Sequence, residues 1–153
     1  KNIEIQDLGN IRKDFNRSIP HFSIGQSYGL IKRVQLHKTD QPFLREGRME
    51  KAGGNNSLTQ LSNVYDATFE MIGNDLNTLG GLVYFDPSSL SPLGALGPPQ
   101  HRDSLSYLMG LGGLHFITLI SHDMSPGKYT TTVKARFVSR GEVKDAPTGG
   151  GGP

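Results

Sequence analysis

Cysteine is absent from the 153 residues. That absence removes disulfides, thiolate metal sites and cysteine nucleophiles together, while leaving the compartment open. Long apolar runs are missing too. None approaches the roughly 20 residues a bilayer-spanning helix needs, which excludes a transmembrane helix. No signal-peptide pattern opens the chain, and Lys1 in place of Met suggests a fragment or a processed product. Hydrophobic residues are scarce at 35%, low for a self-sufficient globule, whereas glycine is plentiful at 20 residues. The combination predicts many turns, extended segments, and a core completed in part by neighbouring chains. The length allows one domain of ordinary size with a small appended piece.

The net charge of +2 is unevenly spread. Residues 1–51 hold ten Lys/Arg against six Asp/Glu, residues 52–124 hold one against six, and residues 125–153 hold five against two. Two basic blocks flanking an acidic one could set one subunit's basic face against a neighbour's acidic face, or simply mix on one folded surface. No concentrated Arg/Lys run with interleaved aromatics occurs, which argues against a specific nucleic-acid partner.

Periodicity places the elements. Residues 1–28 show no sustained period and read as an extended arm with apolar pegs at Ile19, Phe22 and Ile24. From Leu30 to Lys38 the face Leu30/Val34/Leu36 opposes Arg33/Gln35/His37, an approximate period of two. Gly53-Gly-Asn-Asn56 is a turn, and Ser57–Ser62 a short helix or turn. Val64–Ile72 alternates with Tyr65, Ala67, Phe69 and Met71 on one face, the pattern of a half-buried strand. Leu82–Phe85 is a short apolar strand. A long Pro/Gly-containing loop over 88–104 follows, then a helical turn over Ser104–Met109.

The clearest feature is a hairpin. Leu114–Met124 is β-forming and apolar on both faces, which predicts a central strand, and Ser125-Pro-Gly-Lys128 is a turn. Tyr129–Val138 returns with Tyr129, Thr131, Val133, Ala135 and Phe137 on its core face. Residues 141–153 read as a flexible Gly/Pro-rich tail. The fold expected is therefore mainly β: an antiparallel twisted sheet or small barrel over 29–140, with one or two short helices and the N-terminal arm. Phe69, Phe85, Phe116, Ile120 and Phe137 are its expected core.

No coherent catalytic set emerges. The five histidines show no HExxH or other tight metal spacing, and on a regular strand His115 and His122 point to opposite faces. Ser121-His122-Asp123 are adjacent in sequence, so strand alternation separates them. Asp66 and Glu70 share a strand face but stand about 13 Å apart, beyond the separations of glycosidase pairs. Gly110-Leu-Gly-Gly113 precedes a strand instead of opening a helix, the wrong order for a phosphate cradle; it is a turn that permits close backbone approach. These readings predict no enzyme, no metal and no cofactor.

The order of several short motifs resembles the C-terminal region of contractile-tail phage baseplate hub and tail-tip structural proteins. They are Phe69-Glu-Met-Ile-Gly-Asn74, Gly81-Leu-Val-Tyr-Phe-Asp-Pro87, Met109-Gly-Leu-Gly-Gly-Leu-His-Phe-Ile-Thr118 and Ser121-His-Asp-Met-Ser-Pro-Gly-Lys-Tyr-Thr-Thr-Thr132. Val34–Asp40 and Leu44-Arg-Glu46 are similar as well, so the likeness spans roughly residues 29–138. The resemblance implies a structural virion component assembled in the host cytoplasm. It would form a homo-oligomeric ring, commonly threefold, joining tail tube to central spike. The partners implied are tube and spike proteins. Phe22, Ile24, Arg45, Arg48, Lys134 and Arg136 are the interface residues expected on this reading. The alternatives are a receptor- or carbohydrate-binding β module of a tail and, behind it, a cell-wall hydrolase.

Overall fold

The computed structural model describes residues 8–23, 30–38, 65–91 and 95–141. Along the chain lie helix α1 (Ile11–Phe15) and strands β1 (His21–Ser23), β2 (Ile31–Lys38), β3 (Tyr65–Ile72) and β4 (Leu82–Asp86). A 3-10 turn (Ser88–Leu90), helix α2 (Leu105–Met109) and the strands β5 (Gly113–Ser125) and β6 (Lys128–Ser139) follow. All six strands join one sheet in the order β1-β4-β5-β6-β3-β2. Among the described residues the fold is mainly β with two short helices, and the sheet curls into a half-barrel. It is mixed, because β1 runs parallel to β4 while every other neighbouring pair is antiparallel.

The hairpin forms where the sequence predicts it. Ser125 pairs with Lys128 across Pro126-Gly127. Proline fixes the first turn position near φ −65°, and Gly127 supplies φ 78° at the second, the requirement of a type II turn. Residues 113–117 of β5 lie between β4 and β6, the central position its apolar character predicts, whereas among the described residues the remainder of β5 pairs with β6 alone.

Alternation on β3 sends Ala67, Phe69 and Met71 to the core, all essentially without solvent exposure. The Phe69 ring meets Phe22 and Phe85 edge-on, each at 5.3 Å between centroids. Phe22 sits on β1, four places from β3 in the sheet order, so only strong curling brings these rings together. Burying a side chain of this size stabilises by about 1.5–3 kcal/mol, and edge-to-face pairing adds about 0.5–1.5 kcal/mol.

The described part of the N-terminal segment departs from an extended arm. Asn10 Oδ1 accepts from the backbone N–H of Arg12 and Lys13 and so caps α1. The chain then enters the sheet as β1. Ile19 and Phe22, two of the apolar pegs read from the sequence, are buried in this chain's own core, Phe22 having been expected at an interface. Ile24, Arg45, Arg48, the segment 57–62 and the tail 142–153 lie outside the described residues.

A β-bulge overturns one core assignment. Ile117 faces Ala135 and Leu119 faces Lys134, so Thr118 is an extra residue on β5. The bulge reverses the strand's parity. Before it His115 and Ile117 point inward; after it Ile120 does. Phe116, expected in the core beside Ile120, therefore lies on the outer face and is 41% exposed. Phe69 and Phe85 are fully buried as expected, and Phe137 is half-buried against the His115 ring. The bulge also turns His115 and His122 to the same face. They oppose Phe137 and Thr131, six residues apart on β6, so about 20 Å still separates them.

The glycine-rich turn serves close approach. Gly112 has φ 80°, and a Cβ there would fall 2.5 Å from Pro87 Cδ and 2.8 Å from the Phe85 carbonyl oxygen. Such packing brings the end of β4 directly under the entry to β5.

Candidate functional site: a polar groove on the outer sheet face

Strand alternation that fills the core with Ala67, Phe69, Val133 and Ala135 must place their neighbours on the opposite face. The register aligns those neighbours across three strands. Gln35 on β2 opposes Thr68 on β3, which opposes Lys134 on β6. In the next row His37 opposes Asp66, with Arg136 beyond it. Adjacent members of a row are about 4.8 Å apart, and the rows about 7 Å apart. The side chains wall a groove of about 540 Å³. Its floor is the backbone of Ala67 and Ala135, whose side chains point into the core.

The bulge completes the groove. Thr118 bends outward there and its hydroxyl donates to the Lys134 carbonyl oxygen at 3.1 Å. Asp66 is tied down: Oδ1 accepts from the Phe137 backbone N–H at 3.1 Å, and Oδ2 lies 3.9 Å from Arg136 Nε. That ion pair is at the limit of contact and largely solvated, so it holds the guanidinium loosely. Among the described residues no carboxylate lies within ion-pairing distance of Lys134. The groove thus combines an unpaired ammonium, a loosely held guanidinium, an imidazole, an amide and two hydroxyls, with one carboxylate at its end. It can accept an anion and hydrogen-bond a polar ligand. It pairs no nucleophile with a base.

Comparison with known protein families, with characterised proteins and with solved structures found no match. The functional reading therefore rests on this chain's own residues.

Lys134 and Arg136, expected at an interface from sequence, both stand exposed in the groove. Phe22 is brought elsewhere, into the core. His37, Gln35, Thr68 and Thr118 belong to the site but were not singled out from sequence. The alternation signal was present for the first three. Thr118 had none, because nothing local announces the bulge.

Two buried polar arrangements were also hidden. Asp14, fully buried, accepts from the Gly9 N–H and from His21 Nε2, both 2.8 Å from Oδ2. His21 stacks on Tyr84 at 4.5 Å, and burial, reinforced by the Asp86 carboxylate, pushes the Tyr84 phenol well up. Gln100 donates to the Gly9 carbonyl oxygen. Together these contacts hold α1 and β1 onto β4. On β5, His115 is buried among Phe69, Phe85 and Phe137, with Nδ1 3.0 Å from the Gly113 carbonyl and Nε2 3.3 Å from that of Tyr65. Burial lowers its pKa, outweighing the two carbonyls and Asp66, which act in the opposite direction.

Proposed function

We propose that this chain is a structural assembly module of a phage tail baseplate hub. It works as a homo-oligomer, a trimeric ring in the favoured form, that joins the tail tube to the central spike within the virion. The observation that carries the reading is an open sheet edge. β4 pairs with β5 only from Gly113 to Phe116, and Gly80 and Gly81 extend the pairing to Ile117. From Thr118 to Ser125, among the described residues, β5 pairs on one side only, with β6.

An unpaired edge of eight residues is a template for another strand, and monomers ordinarily blunt such edges. Here Phe116 and Leu119 stand exposed on the outer face of this strand, with Ile72 on the same face of β3, and Met124 and Tyr129 stand exposed on the other face towards the hairpin end. Assembly would cover this apolar surface and complete the sheet. The motif order described from sequence supplies the identity of the assembly.

Native mass spectrometry of the protein as isolated, with every co-purifying chain identified, tests the proposal. A defined ring, or association with tube and spike proteins, is the result expected. Leu119→Lys with Met124→Lys should release monomers while leaving the strand pairing to β6 intact. A well-folded wild-type monomer without partners would overturn the reading.

A further inference from the structure

We infer that the outer-face groove is a binding site for an acidic oligosaccharide, with a uronate carboxylate held between Lys134 and Arg136 and ring hydroxyls on Gln35, Thr68 and Asp66. The inference goes beyond the assembly reading and does not depend on it.

Charge sets the first part of the argument. Lys134 and Arg136 lie two residues apart on one face of β6, about 7 Å from Cα to Cα. A carboxylate between them can accept from both head groups, and the Asp66–Arg136 contact of 3.9 Å is long enough to yield to a better acceptor. His37 adds a further donor on the Asp66 side.

Shape and hydrogen bonding decide between sugar and peptide. The groove floor is β3 and β6, each flanked by strands on both sides, so its backbone N–H and C=O groups are engaged in the ladders. An extended acidic peptide laid there would desolvate its own backbone and find no edge to join. Nor, among the described residues, does any long apolar side chain line the groove to anchor peptide side chains. A saccharide brings hydroxyls that both donate and accept. It meets the Gln35 amide, the Thr68 hydroxyl and the Asp66 carboxylate in two rows about 7 Å apart, close to the span of a sugar ring with its substituents. A volume of about 540 Å³ lies within the range of small-ligand sites and suits an oligosaccharide of two or three units.

The test is an amide chemical-shift titration of the full chain, isotopically labelled, with trigalacturonate as probe. The neutral trisaccharide of the same sugar skeleton and tetraglutamate serve as the comparison arms. Trigalacturonate should move the amides of Gln35, Thr68, Lys134 and Arg136, with a dissociation constant in the range of about 1 mM or below. Lys134→Gln should weaken it about tenfold, as loss of one charge-assisted hydrogen bond predicts, while Lys134→Arg retains it. Lys128→Gln, at the hairpin turn outside the groove, should change nothing. The neutral trisaccharide should bind more weakly, and added salt should weaken the acidic one.

Absence of shifts at about 10 mM probe, shifts centred elsewhere, or indifference to Lys134→Gln would each overturn the inference. Equal or tighter binding of tetraglutamate in the groove would overturn it in favour of an acidic peptide. Each of these outcomes leaves the oligomeric state of the chain, and hence the assembly reading, untouched.

Discussion

Replacing His115 by phenylalanine should remove a pH dependence of stability that this single group imposes. The imidazole is buried, and its pKa lies below the ordinary value of about 6.5 that it regains on unfolding. Between those two values the unfolded chain binds one more proton than the folded chain. Stability contributed by the neutral ring is therefore complete above about pH 6.5 and falls as the pH drops towards the folded pKa. The slope approaches about 1.4 kcal/mol per pH unit for one proton. The loss continues only until the folded pKa is reached, below which both states carry the proton.

Phenylalanine keeps edge contacts with Phe69, Phe85 and Phe137 but deletes the hydrogen bond to the Gly113 carbonyl. It should cost about 1–3 kcal/mol at neutral pH. Urea unfolding of both proteins from about pH 8 to about pH 5 gives the comparison. The wild-type advantage should shrink steadily below about pH 6.5. An advantage that stays constant, or grows in acid, would refute the reasoning. The second outcome would mean that the two carbonyls hold an imidazolium more strongly than burial opposes it.

The bulge at Thr118 predicts that Ile120→Ala destabilises by about 2 kcal/mol and Phe116→Ala by less than 1, whereas an unbroken strand would bury both alike; chemical denaturation of the pair decides it. Gly73→Ala places a Cβ 2.0 Å from the Tyr129 ring and should cost about 1–3 kcal/mol. Most of that cost should vanish in a Tyr129→Ala background, as a double-mutant cycle would show. His21→Ala leaves the fully buried Asp14 with only the Gly9 N–H on Oδ2 and should cost about 2–3 kcal/mol, read by thermal unfolding. Amide exchange should then rise first in α1 and β1, which that carboxylate ties together.

Much of the fold is written in local chemistry. The alternation of Tyr65, Ala67, Phe69 and Met71, the Pro126-Gly127 turn and the apolar run Leu82–Phe85 act within a few residues, and each predicts its own element. The same alternation exposes Lys134 and Arg136 together, so two groove residues were visible before any fold was known. What no short window contains is the register. The Thr118 bulge depends on where β6 lies against β5, and it puts Phe116 and Ile120 on opposite faces. The N-terminal segment lacks periodicity of its own because its order comes from distant partners: Phe22 from Phe69, His21 from Tyr84, Gly9 from Gln100. The sequence by itself determined which residues alternate and where the chain turns, since backbone sterics and side-chain polarity act locally. Only the tertiary structure decided which strands became neighbours, and so joined Gln35, Thr68 and Lys134 in one row, because pairing energies are earned between segments far apart in the chain.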